Sequence, residues 1–355
     1  MSKWEENVRK VVPYTPGEQP KDQNVIKLNT NENPYPPSPF VMMKVNEMKD
    51  DILRKYPDPT ADMLIESLAD YYKIDKSSVF AGVGSDDVLG MIFMTFFKGE
   101  LPILFPDVTY SFYPVWADLM DIKYETVPLN DKFEINIEDY IKPNGGIVIA
   151  NPNAPTGILL EKDKIIKLLD NNKDSIVVID EAYIDFSPEG SSCLDLISKY
   201  DNLIVVRTFS KSRNLAGLRL GYAMADPKII KYLNDVKFSY NSYTLNTFTI
   251  LAGTAAISDD AYFRKCNEKI IATRERFSEK IKEMGFTVLP SDTNFVFASH
   301  KEKAASDIFQ YLKNKGIFVR YFNLPGIDNY LRISIGLDEE MDKLLEELNT
   351  FLTQD

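Results

Sequence analysis

Three short runs in the middle of the chain are apolar at every position rather than at alternate ones. They are 146–150 (Gly-Ile-Val-Ile-Ala), 175–179 (Ser-Ile-Val-Val-Ile) and 203–206 (Leu-Ile-Val-Val). A strand with one face in water alternates, so these runs predict strands covered on both faces, as in the middle of a mainly parallel sheet. Between the first two, 161–171 carries Ile165, Ile166, Leu168 and Leu169 at helical spacing, which predicts a crossover helix. The expected fold class is α/β, a mostly parallel central sheet flanked by helices.

The last hundred residues read differently. A long charged amphipathic helix is predicted over 260–284, followed by strand-like 287–290 and 295–298 and a helix around 304–315. Strand-like 317–320 and 330–335 and a terminal helix from Asp338 complete the pattern. This order predicts a smaller α+β domain with its boundary near Ser258. The first thirty or so residues are too poor in apolar side chains to fold alone, and the Pro-rich stretch 33–39 follows them. The expected division is an arm over 1–35 that packs on the small domain or a partner chain, a large cofactor-binding domain over 36–257, and a small domain over 258–355.

Charge and rare residues exclude several function classes. With 53 acidic against 41 basic residues the net charge is -12, so neither nucleic acid nor an anionic membrane is an expected partner. The start, Met1-Ser2-Lys3-Trp4-Glu5-Glu6, is charged where a secretory peptide is apolar. The most apolar stretch, 88–97, has about half the length needed to span a bilayer. Two cysteines, Cys193 and Cys266, form no disulfide framework and suit a reducing cytoplasm, the expected location. The single histidine, His300, rules out sites with two imidazole ligands, and no metal is expected. His300 lies in the charged stretch 299–303 and is expected on an exposed turn.

In a parallel sheet, chemistry collects where strands end. After 175–179 comes Asp180-Glu181-Ala182-Tyr183, and a carboxylate there is costly unless something cationic meets it. After 203–206 come Arg207-Thr208-Phe209-Ser210-Lys211 and then Arg219, and after 146–150 the turn-rich Asn151-Pro152-Asn153-Ala154-Pro155-Thr156-Gly157. Earlier, Gly82-Val83-Gly84-Ser85-Asp86 leads from a strand into a helix whose first N–H groups can meet an anion. Each signal is weak alone. Together they supply a lysine for an aldehyde, a carboxylate for a pyridinium proton, hydroxyls and an arginine for a phosphate, and a tyrosine or asparagine for a phenolic oxygen. One cofactor needs that set, pyridoxal 5'-phosphate.

These motifs resemble the fold type I, pyridoxal-phosphate-dependent aminotransferases. Leu28-Asn29-Thr30-Asn31-Glu32-Asn33-Pro34, Arg54-Lys55-Tyr56-Pro57-Asp58-Pro59 and the segment around Lys211 resemble the histidinol-phosphate aminotransferase branch, over about Val12 to Gly336. The resemblance implies that Lys211 binds the cofactor aldehyde and then moves the proton, that Asp180 pairs with the pyridine nitrogen, and that Tyr183 donates to the phenolic oxygen. It implies a phosphate held by Ser85, Asp86, Thr208, Ser210 and Arg219, a ring stacked by Tyr110, and a homodimer in which Tyr56 crosses the interface to the same phosphate. Arg332 and Arg320 are implied as anion binders for substrate, with Tyr14, Tyr243 and Asn246 near it. One departure stands out: relatives often carry asparagine directly before Pro-Thr-Gly, where this chain has Ala154, and Asn153 is the nearest residue able to substitute.

The activity implied is transfer of an amino group between L-histidinol phosphate and 2-oxoglutarate, giving imidazole acetol phosphate and L-glutamate, in histidine biosynthesis. A threonine-phosphate decarboxylase and an aromatic amino-acid aminotransferase are the rival enzymes on the same motifs. A cofactor-binding transcription regulator would need a helix-turn-helix domain ahead of the cofactor motifs, and the chain has no room for one.

Overall fold

The computed structural model describes residues 3–22 and 24–353. The first strand, β1 (Ile26–Lys27), lies apart from the main sheet, which is built from β2 (Val79–Gly82), β3 (Ile103–Pro106), β4 (Tyr124–Val127), β5 (Gly146–Ala150), β6 (Val177–Asp180), β7 (Leu203–Thr208) and β8 (Gly221–Ala225). Their spatial order is β2-β8-β7-β6-β5-β3-β4. The pairs β7–β6, β6–β5, β5–β3 and β3–β4 are parallel, and β8 runs antiparallel to both neighbours.

The unbroken apolar runs now have their reason. Ile147, Ile149, Val177, Ile179 and Val205 enter one core, while Val148, Val178, Ile204 and Val206 enter another on the opposite face of the sheet. Both faces are dry, so no position has reason to be polar until the strand ends. The predicted crossover helix is Lys162–Asn171, and it buries Ile165, Leu168 and Leu169. Burying side chains of this size stabilises by roughly 1.5–3 kcal/mol each.

A second sheet, of order β12-β13-β10-β9, comprises β9 (Phe286–Val288), β10 (Phe295–His300), β12 (Arg320–Tyr321) and β13 (Leu331–Ser334). The long helix Asp260–Glu283, capped by Asp259, and the helices Ala305–Asn314 and Asp338–Leu352 belong to the same stretch of chain. The predicted strand over 317–320 is divided at Val319. β11 (Ile317–Phe318) turns away to pair in parallel with β1, whereas β12 pairs with β13. The start of the chain is therefore stitched to its last quarter, and Leu28 enters the core that also holds Tyr183, Phe186 and Phe295.

The expectation of an exposed His300 is corrected. β10 runs two residues further than predicted, so His300 ends a strand and is 9 % exposed. Its Nδ1 accepts the N–H groups of Glu302 and Lys303 at 3.2 and 3.1 Å, which leaves Nε2 to donate to the Met284 carbonyl at 3.1 Å. The charged neighbours that suggested an exposed turn belong to the turn that this imidazole organises.

Candidate active site

A cavity of about 330 Å³ opens beyond the ends of β6 and β7. Its wall includes Asp180, Tyr183, Thr208, Ser210, Lys211 and Arg219, with Ser85, Asp86 and Tyr110 from across the sheet and Thr30 from the arm. Roomier clefts exist elsewhere, of about 620 and 830 Å³. The first is lined by side chains such as Phe40, Met63 and Leu251, and the second meets Arg207, already paired with Glu181. Chemistry, and not size, selects the smaller one.

Asp180 is the last residue of β6 and 5 % exposed. Its Oδ2 accepts from Tyr113 Oη at 3.1 Å and its Oδ1 from the Ala182 N–H at 3.2 Å, and no ion pair involving it is found among the described residues. Burial pushes its carboxyl up to about 7, against the pull of those two donors. A buried acid without a counter-cation beside a cavity is suited to a ligand that brings the cation.

Lys211 follows the turn after β7. Its Nζ donates to the Thr30 carbonyl at 3.2 Å and lies 5.8 Å from the centre of the Tyr183 ring. Behind it, Ser212 donates to Asp185 at 2.5 Å, and Asp185 also accepts from Arg207 at 3.1 Å. Arg207 bonds Glu181 as well, with side chains 8 % and 0 % exposed. Arg207, Glu181 and Ser212 each adjoin in sequence a cavity residue, Thr208, Asp180 or Lys211. A buried ion-pair cluster beneath the floor thus ties together three residues above it.

The anion end is built from backbone and side chains together. Gly84 precedes the helix Ser85–Phe96 with φ +87° and offers no side chain to cap it, so the first N–H groups stay open to a ligand. A Cβ at Gly84 would stand 2.5 Å from Arg219 Nη2, so only glycine leaves the guanidinium its place. Arg219 donates to the Ala216 carbonyl at 3.1 Å and makes longer contacts of 3.4 Å to Asp86 and Ser210, and Thr208 donates to Ser210 at 3.0 Å. Tyr110 donates to Asp86 at 2.8 Å, and burial with the Asp86 charge pushes its phenol well above the usual range, so it stays protonated.

Other expected residues are placed outside the cavity wall. Asn153 is 3 % exposed and spends its side chain elsewhere: Nδ2 donates to the Val108 carbonyl and Thr156, and Oδ1 accepts from Thr109 at 2.8 Å. Ala154 lines the cavity in its stead. Asn246 caps the helix Thr247–Ser258 by accepting the Thr249 N–H. Tyr56, 82 % exposed, leans on Tyr243 with ring centres 4.8 Å apart. Tyr14 of the arm stacks on Phe112 at 4.3 Å. Arg320 and Arg332 are register partners on β12 and β13. Arg332 donates to the Asn29 carbonyl at 3.0 Å, while its Nε is buried without a partner. Burial and the like charge of Arg320 push Arg332 below the ordinary arginine value.

Comparison with known proteins decides the family. The family model for aminotransferase class I and II matches residues 23–348. The chain belongs to the class I and II aminotransferases. Among relatives of this class I and II chain, the histidinol-phosphate aminotransferase of Brachyspira hyodysenteriae is 51 % identical, over 97 % of this chain and 97 % of its own. That of Clostridium acetobutylicum is 50 % identical, over 98 % and 99 %. The crystal structure of the histidinol-phosphate aminotransferase of Sinorhizobium meliloti in complex with pyridoxal-5'-phosphate superposes with a TM-score of 0.85 at 25 % identity, covering 92 % of this chain and 91 % of that one.

The donor set of this aminotransferase fits pyridoxal phosphate. The uncompensated Asp180 faces where a pyridinium would need a carboxylate, and the glycine-edged cradle before Arg219 suits a phosphate. Sequence reading missed Tyr113, the Arg207 cluster and Asn31. Tyr113 sits in an aromatic run, Phe112-Tyr113, where nothing marks it from its packing neighbours. Asn31 lies in the Leu28–Pro34 motif, where residue type alone gives it no role.

Proposed function

We propose that this chain transfers an amino group between L-histidinol phosphate and 2-oxoglutarate, using pyridoxal 5'-phosphate and serving histidine biosynthesis. The observation that carries the chemistry is the convergence of Lys211 and the uncompensated Asp180 on one cavity. Identity of about half over nearly the whole chain to histidinol-phosphate aminotransferases supports the substrate.

When bound, the cofactor supplies an electron sink for the bond that breaks at the substrate α-carbon. Asp180 keeps the proton on the pyridine nitrogen. Lys211 would hold the cofactor aldehyde at rest, and its Nζ would then serve as the base that takes the proton from the substrate α-carbon. Tyr183 donates to the phenolic oxygen, and Tyr110 limits the ring's motion. The backbone N–H groups of Ser85 and Asp86, the hydroxyls of Thr208 and Ser210 and the guanidinium of Arg219 bind the phosphate. The saturated bonds of Asn153 argue that it fixes the loop and leaves the phenolic oxygen to Tyr183.

Arg332, with its unpartnered Nε, binds the carboxylate of glutamate, and Arg320 joins it for the phosphate of the other substrate. Tyr14 covers the site from the arm and excludes water. The chain works as a homodimer in the cytoplasm, with Tyr56 at the interface and Tyr243 and Asn246 near the substrate. The groove beside Met63 and Leu251 and the exposure of Tyr56 support that face as the contact. The division at residues 35 and 258 into arm, large and small domains is part of this reading.

A rate comparison tests it. The purified holoenzyme should convert histidinol phosphate with 2-oxoglutarate far faster than phenylalanine or tyrosine. Equal rates would favour the aromatic aminotransferase, and carbon dioxide release from threonine phosphate the decarboxylase.

A further inference from the structure

Asn31 is 1 % exposed and holds φ +56°, a left-handed backbone that asparagine tolerates better than most residues. Every polar group it owns is engaged. Its backbone N–H donates to Ser334 Oγ at 2.9 Å, and its carbonyl accepts from Asn294 at 3.0 Å. Its Oδ1 accepts from Ser334 Oγ at 2.9 Å, and its Nδ2 donates to Tyr183 Oη at 2.9 Å.

The direction of that last bond follows from the others. Ser334 Oγ already receives the Asn31 N–H, so its own proton goes to Asn31 Oδ1. Turning the amide over would leave a buried serine proton unspent, a cost of order 1–3 kcal/mol. Nδ2 therefore faces Tyr183, and Tyr183 Oη must accept. A phenol that accepts from one side has its proton free for the cavity.

We propose that Asn31 is a positioning residue that aims the Tyr183 proton at the phenolic oxygen of the bound cofactor. The inference rests on the function proposed above. It also gives Ala154 a context: with no amide at that position, the one donor left at the phenolic oxygen is aimed by an amide from the arm. Because Ser334 lies two residues beyond Arg332 on β13, the same asparagine links the anion-binding strand to that donor.

A donor at the phenolic oxygen draws off negative charge, so the bound chromophore gives up its proton at lower pH. The test is a pH titration of the visible absorption of holoenzyme carrying Asn31→Asp, Tyr183→Phe or both. Aspartate keeps the shape, the tolerance of positive φ and the Oδ1 acceptor, but once ionised it reverses the bond and captures the Tyr183 proton. Both single variants should raise the titration midpoint by about one pH unit. The double variant should go no higher than Tyr183→Phe. Asn31→Gly, which also tolerates positive φ, should shift the midpoint in the same direction and serves if Asn31→Asp does not fold. An unmoved midpoint in Asn31→Asp, or in Asn31→Gly where that variant stands in, would overturn the proposal, as would shifts that add in full. A wild-type protein that binds no cofactor would overturn the function itself and this inference with it.

Discussion

Tyr113 donates its phenolic proton to Asp180 at 3.1 Å from the buried side of that carboxylate. The tyrosine is fully buried, and burial with the Asp180 charge pushes its phenol far above the ordinary range, so it acts as a fixed neutral donor. A neutral donor steadies the carboxylate without cancelling its charge. The charge is thus kept for the ligand.

This arrangement predicts an unusual pH dependence in the cofactor-free chain. Asp180 titrates near 7 in the fold against an ordinary 3.8, so the folded chain holds this proton more tightly than the unfolded one. Its contribution to stability is full below about 3.8 and is lost as pH rises toward about 7. Cofactor-free wild type should therefore lose roughly 2–4 kcal/mol relative to Asp180→Asn across that window. Urea denaturation at several pH values measures it. In Tyr113→Phe the loss should extend to higher pH, because a donor that favours the ionised form is gone.

The Arg207 cluster should be the costliest charged site to break. Arg207→Met strands Glu181, whose side chain is wholly buried, and should destabilise by about 3–5 kcal/mol. Adding Glu181→Leu should recover part of that loss. A urea midpoint unchanged in Arg207→Met would show that the cluster holds nothing in place.

If Tyr56 serves the neighbouring subunit, inactive Lys211→Ala and weakened Tyr56→Phe subunits should complement each other. Hybrids formed by mixing after mild dissociation should contain a site with both native residues. Activity above the sum of the separate preparations is the expected outcome. No gain, despite hybrids detected by a tag on one subunit, would place Tyr56 in its own subunit's site.

His300→Ala should separate stability from turnover. The imidazole satisfies two N–H groups and one carbonyl, so its loss should cost about 1–3 kcal/mol in thermal or urea unfolding. The rate of amino transfer should stay close to wild type, since His300 is absent from the cavity wall.

What the sequence disclosed depended on whether residue type and place agreed. Lys211, Asp180 and Arg219 were legible as a set, because a lysine, a buried carboxylate and an arginine near the ends of dry strands match one cofactor, and the fold brings all three to one cavity. Tyr113 was not, since a tyrosine among aromatics looks like packing until a carboxylate is found 3.1 Å away. Asn153 was legible as a residue but not as a direction, because only the fold shows Thr109, Val108 and Thr156 claiming its amide. His300 misleads because its charged neighbours suggest an exposed turn, while the reach of β10 is set by pairing with Phe286. The split at Val319 was equally hidden, since one half of that run answers to residues near 26 and the other to residues near 332.

The pairing of Ile26 with Ile317, and of Asn31 with Ser334 across 303 positions, sets an order of events during translation. The arm leaves the ribosome long before the residues it pairs with, which follow about 300 positions later. At roughly 5–20 residues per second it waits some 15–60 s for them. The main sheet can close in that interval, but Tyr183 and Lys211 meet Asn31 and Thr30 in their final places only after the small sheet has formed. A nascent chain stalled before Ile317 would carry Lys211 and Asp180 and still lack the residues that seat Thr30 and Asn31, so the cavity is finished only once the small sheet has joined the arm.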